Sequence, residues 1–415
     1  MPFLKNNSII SKTLKAALAM TAMLLCLAVF SGCALSEGND AFPSVNSPSD
    51  RSPVFFEEAD FSSPSQSSPP SVSAKAYVLI DADSGCVISS RAPDERMKMA
   101  STTKIMTALV ALENADVNRV VSIPKEAVGV EGSSIYLFEG EALTLEALLY
   151  AMLLESANDA AAAIAITVGG SIEGFADMMN EKAEELGLEN THFTNPHGLD
   201  GDEHYTTARD LALIAAEAMR NESFCEIVST QKKTIPLNNT EGVRLLINHN
   251  KLLRSYEGAI GIKTGFTKKS GRCLVSAAER DGVRLICVTL SAPDDWRDHK
   301  GLLDYGFEAL SSRLLCSEES LEYIVPVVGG NAEYVTLTNK DEIRITLPKS
   351  APEVTVTVEL PRFLYAPVKV GEAIGRAVYS IDGKTIAEVP LYARYSVPQK
   401  EEKSTLWEKI TSLFK

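Results

Sequence analysis

Three short stretches carry residues that can act on one another chemically: Ser101-Thr102-Thr103-Lys104, Ser156-Ala157-Asn158 and Lys263-Thr264-Gly265. A serine hydroxyl is a weak nucleophile until a neighbouring base takes its proton. A lysine serves as that base only when desolvation or a second cation lowers its pKa. Residues three apart on a helix are neighbours, so Ser101 and Lys104 are expected on one face, with the lysine nitrogen within reach of the hydroxyl. Lys263 supplies the second cation if its strand converges on the same place. Taken alone, the Ser-x-x-Lys pair reads more readily as an N-cap serine and a solvated first-turn lysine. The two further stretches, in helix-end and strand contexts, turn the reading towards nucleophilic chemistry.

These side chains need a scaffold. Ile105, Ala108, Leu109 and Leu112 recur at i, i+3, i+4 and i+7, which predicts a helix with a buried face directly after Ser101. Ahead of it, Ala76 to Ile80 and Cys86 to Ile88 read as a hairpin turning at Asp83-Ser84-Gly85. Leu145, Leu148, Leu149, Met152 and Leu153 mark a second helix ending at Glu155-Ser156. Ala160 to Val168 marks a third, stopped by Gly169-Gly170. Phe175, Met178, Met179, Ala183 and Leu186 mark a fourth, with Gly187 as its C-cap. Thr207-Ala208-Arg209-Asp210 resembles a capping box opening a helix through Met219, with Arg209 and Asp210 orienting that helix rather than doing chemistry. Strands follow over Gly258 to Gly265, Cys273 to Ala278 and Val283 to Leu290, the last two joined at Asp281-Gly282. A hairpin at the start and strands at the end, enclosing helices, predict an α+β domain whose antiparallel sheet joins both ends of the segment. Past about residue 320 the helical signals stop. Tyr334 to Leu337, Glu342 to Leu347, Val354 to Leu360 and Ile386 to Tyr392, with turns at Asn339-Lys340-Asp341 and Asp382-Gly383-Lys384, predict a small all-β domain.

With 415 residues, 45% of them hydrophobic, the chain is long enough for two or three domains with real cores. A net charge of −15 and the lack of any Lys/Arg cluster disfavour nucleic acid as a partner. Lys5, Lys12 and Lys15 precede an uncharged apolar run from Ala16 to Phe30 and the small residues Ser31 and Gly32. Residues 1–33 are therefore read as a signal peptide and the protein as exported. Phe30-Ser31-Gly32-Cys33 also resembles a bacterial lipoprotein signal in which Cys33 is lipidated, ordinary cleavage nearby being the other reading. Residues 34–74, rich in Ser and Pro, read as a disordered linker, followed by ordered domains over 75–320 and 321–396. Of seven cysteines, Cys26 and Cys33 belong to the signal, leaving Cys86, Cys225, Cys273, Cys287 and Cys316 without framework spacing. In the register set by Asp281-Gly282, Cys287 faces Ser276 and Cys273 points to the opposite face, so no bridge is expected. Within 397–415, Leu406, Trp407, Ile410, Leu413 and Phe414 fall on one side of a helix from Ser404 to Lys415. This is either a frayed terminal helix or an interfacial helix on a membrane surface.

In order, the three stretches follow the Ser-x-x-Lys, Ser-Asp-Asn and Lys-Thr-Gly trio of class A β-lactamases and penicillin-binding proteins, with Ala157 in place of the middle Asp. With Asn195-Pro196-His197-Gly198-Leu199, Tyr205-Thr206-Thr207-Ala208-Arg209-Asp210, Gly261 to Thr267 and the C-terminal β domain, residues 76 to about 395 resemble the low-molecular-weight penicillin-binding D-alanyl-D-alanine carboxypeptidases. The resemblance implies a β-lactamase/transpeptidase-like domain followed by a small all-β domain. It also implies a serine acyl-enzyme mechanism on peptidoglycan stem peptides ending in D-Ala-D-Ala, covalent inhibition by β-lactams, and work at the outer face of the bacterial cytoplasmic membrane. Carried over residue by residue, Ser101 attacks, Lys104 is its base, and Ser156 relays the proton to the departing amine. Asn158 holds Lys104 and donates to the substrate backbone, while Lys263 and Thr264 suit a free carboxylate. Gly265 lets its strand approach the substrate, and the backbone N–H groups of Ser101 and Phe266 form the oxyanion hole.

His192, His197, His204, His249 and His299 show no His-Glu-x-x-His spacing and no Cys cluster accompanies them, so neither a metal nor another cofactor is expected. His249, between Asn248 and Asn250, either lines the cleft or, as the favoured reading, packs structurally. Three alternatives accompany the carboxypeptidase reading. A class A β-lactamase would add a Glu-x-x-Leu-Asn loop between the second and third motifs, which Glu189-Asn190 does not match. A D,D-endopeptidase shares every motif. A non-catalytic cell-wall-binding protein would be expected to lose Lys104 or Lys263, and both are present.

Overall fold

The computed structural model describes residues 68–237 and 242–401. The signal-peptide reading of 1–33, lipidation of Cys33, most of the 34–74 linker and the amphipathic segment 404–415 lie outside the described residues. A five-stranded antiparallel sheet is assembled from both ends of the first domain. It comprises β1 (Ala76–Asp81), β2 (Val87–Arg91), β3 (Ala259–Thr267), β4 (Gly271–Arg280) and β5 (Val283–Leu290), in the spatial order β2-β1-β5-β4-β3. β1 reads Ala-Tyr-Val-Leu-Ile-Asp and is buried at every position, the pattern of a strand covered on both faces. β3 is at the sheet's edge, paired only with β4 among the described residues. Asp281 (φ 51°) and Gly282 (φ 76°) both adopt the left-handed turn that a two-residue hairpin requires. The resulting register sets Ser276 opposite Cys287, and Cys86, Cys225, Cys273, Cys287 and Cys316 are all free thiols.

The helical layer comprises α1 (Lys104–Asn114), α2 (Leu145–Leu154), α3 (Asn158–Gly169), α4 (Ile172–Glu185), α5 (Ala208–Ala218) and α6 (Glu222–Ser229), with α7 (Asp295–Ala309) on the opposite face of the sheet. α1 is more central than its i, i+3, i+4, i+7 pattern implied: every residue from Lys104 to Ala111 is buried, among α2, α3, α4 and α5. Gly170 closes α3 in the left-handed conformation. Thr207 caps α5 by accepting from Asp210 N (3.0 Å), but the reciprocal half of the capping box is absent. The Asp210 carboxylate instead accepts from Asn190 N (3.3 Å) and Thr191 Oγ1 (2.7 Å), tying that loop to the helix. Sequence periodicity missed α7, whose polar opening turn hides the pair Leu302 and Leu303 that pack on Leu79, Leu285 and Cys287.

Two boundaries differ from expectation. The linker does not stay free of the core to residue 74: Val72 and Ala74 are buried, and Ser73 N, Ser73 Oγ and Ala74 N all donate to Asp298 Oδ2 on α7, at 2.9, 2.5 and 3.2 Å. Arg91 donates to Val72 O (2.8 Å) and to Ala74 O. A small-residue segment without periodicity is thus held by side chains more than two hundred positions away, which composition does not register. Likewise β-pairing towards the C-terminal part starts before residue 321, because strand Leu310–Cys316 already pairs with Ile343–Pro348. Beyond it lies a six-stranded sheet whose best-matched hairpin joins Ala373–Ile381 to Lys384–Ala393 through Asp382 (φ 49°) and Gly383 (φ 79°).

Asp298 anchors the Ser73–Ala74 segment, so Asp298→Ala leaves three donors without a carboxylate. The substitution is expected to destabilise the protein by about 3 kcal/mol, read as a lower urea midpoint with an unchanged slope.

Candidate active site

Ser101 lies on a single 3₁₀ turn, Ala100–Thr103, that runs directly into α1. The turn opens with Ala100 at φ +49°, an uncommon conformation for a residue with a Cβ. No side-chain cap bond forms at this helix start, so Ser101 is not the N-cap of the alternative reading. Its Oγ faces Lys104 instead. The Lys104 Nζ lies 3.1 Å from Ser101 Oγ, 2.7 Å from Asn158 Oδ1 and 2.6 Å from the carbonyl of His197, and the side chain is wholly buried.

Burial, with the nearby charge of Lys263, holds the Lys104 pKa well below its usual value, while Asp159 acts weakly in the opposite sense. A neutral amine has two N–H bonds and one lone pair. Asn158 Oδ1 and His197 O can only accept, so they take the two N–H bonds, and the lone pair is left facing the one partner that can donate, the Ser101 hydroxyl. The three contacts therefore suit a lysine poised to receive the serine proton. Lys263, also buried, donates to its neighbour's carbonyl, Thr264 O (3.0 Å), and burial brings its pKa down to about 7.

Both side chains of the second motif are set by one backbone reversal. Ser156 adopts φ +60° between α2 and α3, so Asn158 begins α3 beside Lys104. Asn158 is fixed from three directions: its N–H donates to Ser133 O (2.7 Å), its Nδ2 to Glu131 O (2.5 Å), and its Oδ1 accepts from Lys104. The backbone contact is part of the same clasp. Ser156 is buried at that reversal, and among the described residues its Oγ makes no hydrogen bond with Ser101 or Lys104.

Edge strand β3 presses on the serine turn. A Cβ built on Gly265 would fall 3.1 Å from Met99 O and 3.2 Å from Ser101 N, so glycine permits the edge strand to approach the backbone of the serine turn closely. Thr264 is half-buried and the Phe266 side chain is exposed, leaving its backbone at the rim of the cleft. From the other side the Asn195 to Leu199 turn holds the same element. Asn195 Oδ1 accepts from Gly198 N (2.7 Å), Thr107 Oγ1 donates to Pro196 O (2.6 Å), and a Cβ on Gly198 (φ +88°) would penetrate Ala100 O and stand 2.9 Å from Thr103 Oγ1.

His204 completes this bracing. Its Nδ1 accepts from Thr194 N (3.1 Å), which places the ring proton on Nε2, where it donates to Thr103 Oγ1 (2.8 Å); that hydroxyl in turn donates to Ala100 O (2.8 Å). Burial holds His204 neutral, with a pKa down to about 3. His197 is pushed down to about 4 by burial and by Lys104, and contributes its carbonyl rather than its ring. His249, for which packing was the favoured reading, is half-exposed, 3.2 Å from Glu155 Oε2. Asp159, not singled out from the sequence, accepts from Ser134 Oγ (2.6 Å), Ile135 N (3.3 Å) and Leu137 N (3.0 Å) and so shapes the loop over Asn158. Its only sequence signal is its place beside Asn158.

Residues 63–294 match the family described as D-alanyl-D-alanine carboxypeptidase (Peptidase_S11), and residues 312–399 match the C-terminal domain of penicillin-binding protein 5. The chain is 33% identical over 331 residues to D-alanyl-D-alanine carboxypeptidase DacF of Bacillus subtilis, covering 77% of this chain and 85% of that protein. It is 30% identical to DacC of Escherichia coli, covering 83% and 89%. Among solved structures, penicillin binding protein 5 from Haemophilus influenzae superposes with a TM-score of 0.64 at 32% identity, over 80% of this chain and 100% of that one.

Gly198→Ala meets both a left-handed backbone and the carbonyl of Ala100. The expected cost is about 3–5 kcal/mol, seen as a lowered melting temperature, because backbone on both sides cannot give way as a side chain would. A substitution without thermal effect would mean that the Asn195 to Leu199 turn does not bear on the serine turn.

Proposed function

Because the chain belongs to the D-alanyl-D-alanine carboxypeptidase family and is a serine-type carboxypeptidase, we propose that it removes the terminal D-alanine of peptidoglycan stem peptides through an acyl-enzyme on Ser101. The observation that carries this reading is the buried Lys104 nitrogen, with two acceptor-only neighbours and its third contact on Ser101 Oγ. Lys104 takes the hydroxyl proton as Oγ attacks the carbonyl carbon of the penultimate D-Ala. The backbone N–H groups of Ser101 and Phe266 receive the developing oxyanion. As the C–N bond breaks, the proton held by Lys104 passes through Ser156 to the departing D-Ala amine, leaving an ester on Ser101. Water then attacks that ester with Lys104 again as base. The second N–H of Asn158 Nδ2, beyond the one given to Glu131 O, faces the substrate backbone, and Lys263 with Thr264 receives the free terminal carboxylate. β-Lactams acylate the same hydroxyl as mimics of the peptide.

From the signal-like N-terminal sequence we infer that the enzyme works outside the cytoplasmic membrane, with the Ser/Pro-rich segment as its tether and the apolar side of 404–415 and, if lipidated, Cys33 as its membrane contacts. Among the described residues no single helix is long and apolar enough to cross a membrane. Deleting 404–415 from a form with Cys33 replaced is expected to reduce liposome binding; unchanged binding would remove the helix from the account.

Ser101→Ala is expected to abolish covalent labelling by a fluorescent penicillin while retaining the fold, since no cap bond is lost. Wild-type protein should carry an adduct of full drug mass that outlasts many turnovers of N-acylated L-Lys-D-Ala-D-Ala, because the opened β-lactam stays tethered where D-Ala would leave. Mass spectrometry beside a D-Ala release assay tests both, and fast penicillin hydrolysis without D-Ala release would point to a β-lactamase.

The pH profile has a stated sign. kcat/KM reports free-enzyme groups, so it rises as Lys104 loses its proton and, for substrates with a free carboxylate, falls about tenfold per pH unit above about 7 as Lys263 loses its own. The C-terminal amide of the same peptide should lack the alkaline fall. Identical alkaline limbs for acid and amide would take Lys263 out of carboxylate binding.

A further inference from the structure

We propose that Arg244 is a positioning residue for the reaction: its guanidinium clamps the loop over residues 131–141 in the one conformation that presents Asn158 to Lys104. The proposal rests on the acyl-enzyme reading above and assigns a role to a residue outside the three motifs. Arg244 stands on a two-stranded hairpin, Lys232–Pro236 with Val243–Ile247, and its side chain turns inward while Val243, Leu245 and Ile247 face outward.

The guanidinium is spent entirely on that loop. Both Nη atoms meet the Glu141 carboxylate, Nη2 at 3.0 Å from Oε2, while Nε donates to Ile135 O (3.1 Å) and Nη2 also to Tyr136 O (3.4 Å). Glu141 is wholly buried and Arg244 is 13% exposed. A carboxylate buried to this degree calls for a paired, hydrogen-bonded cation. The arginine fork matches one carboxylate and reaches neighbouring carbonyls at once, which a lysine cannot do.

What the clamp holds is a conformation that the chain would not adopt unaided. Tyr136 is 85% exposed yet sits at φ +58°, a strained state for a bulky residue with no burial to hold it there. Gly132, at φ +98°, has no room for a Cβ, which would fall 2.7 Å from Asn158 Nδ2. Around these two points the loop supplies Glu131 O and Ser133 O to Asn158 and receives Asp159 at Ser134, Ile135 and Leu137. The connection therefore runs from Arg244 through the loop to Asn158 and, by Asn158 Oδ1, to the Lys104 nitrogen.

The loss of Arg244 strands Glu141, so Arg244→Ala alone confounds folding with positioning. The double variant Arg244→Met/Glu141→Leu removes both charges together and is expected to keep a near-native melting temperature, since a buried ion pair replaced by apolar side chains is close to neutral. If Arg244 positions the loop, this double variant should acylate Ser101 with a fluorescent penicillin at least tenfold more slowly than wild type. Its acid limb should also move to higher pH as water reaches Lys104. The charged and titratable groups facing Lys104, namely Lys263, Asp159, His197 and His204, are untouched by the change. Amide hydrogen exchange, which needs no activity, should show lost protection at Ile135, Leu137 and Asn158. Arg244→Lys, which keeps the charge but not the fork, should fall between wild type and the double variant in acylation rate. Native exchange protection across 131–138 and at Asn158 in the double variant would overturn the proposal, and so would wild-type acylation and an unmoved acid limb. Wild-type protein that never labels Ser101 would overturn the acyl-enzyme reading instead, with the exchange result still deciding whether Arg244 holds the loop.

Discussion

Two lysines in a dry interior, one lowering the pKa of the other, form the constraint on which the rest of this structure depends. Lys104 is buried and carries the charge of Lys263 in its surroundings, both of which hold its pKa down, and its three contacts suit a neutral amine whose lone pair faces the Ser101 hydroxyl. An isolated buried ammonium would cost several kcal/mol, so the protein either neutralises it or surrounds it with acceptors. Here the two carbonyl-type acceptors saturate the N–H bonds of the neutral form, and the third contact is a hydroxyl. In the proposed reaction, activation of Ser101 would follow from this burial geometry, and anything that admitted water beside Lys104 would restore an ordinary lysine.

Keeping water out requires backbone packed on backbone. The serine turn is held between two glycine-bearing segments, Gly265 on the edge strand, where a Cβ would be tight, and Gly198 on the Asn195 to Leu199 turn, where there is no space for one. His204, neutral and bonded on both ring nitrogens, fixes Thr103 and through it the carbonyl of Ala100. These contacts place the strained Ala100 conformation under control from three sides, and a sparsely populated backbone state persists only when its surroundings over-determine it. They also fix the orientation of the Ser101 N–H, a group that backbone rigidity alone can hold ready for a developing charge.

How much of this the sequence disclosed depends on the range of the interaction concerned. The pairing of Ser101 with Lys104 is a three-residue relation on one turn, and the opposition of Ser276 and Cys287 follows from a two-residue hairpin, so local periodicity and turn chemistry reach both. The same holds for the helices around Leu148, Ile164 and Met179, whose apolar spacing is dense. Asp159, the Asp298 clasp on Ser73 and Ala74, and the Arg244–Glu141 pair join residues far apart along the chain, with side chains that individually read as ordinary surface charge. The polar first turn of α7 misled for the same reason: Asp295 and Asp298 are buried because Arg272 and the Ser73–Ala74 segment meet them, facts outside any local window.

The disposition of carboxylates bears on the second half of the reaction. Hydrolysis of an ester on Ser101 needs a base for the incoming water, and a nearby acidic side chain would be the simplest source. Each carboxylate close to the three motifs has other work. Glu155 accepts from Ile247 N (2.6 Å) and faces His249. Asp159 is occupied by Ser134, Ile135 and Leu137. Asp200 accepts from Thr267 Oγ1 at the end of the edge strand (3.2 Å), and Asp210 ties down Asn190 and Thr191. Of the described residues the site gathers, the amine of Lys104 alone couples a depressed pKa with contact to Ser101, so in the proposed mechanism both half-reactions would draw on one base. A leaving group that diffuses away returns that base to use, whereas one still joined to the acyl group stands between it and water. The difference between a turned-over peptide and a trapped drug then reduces to whether the departing amine remains covalently attached.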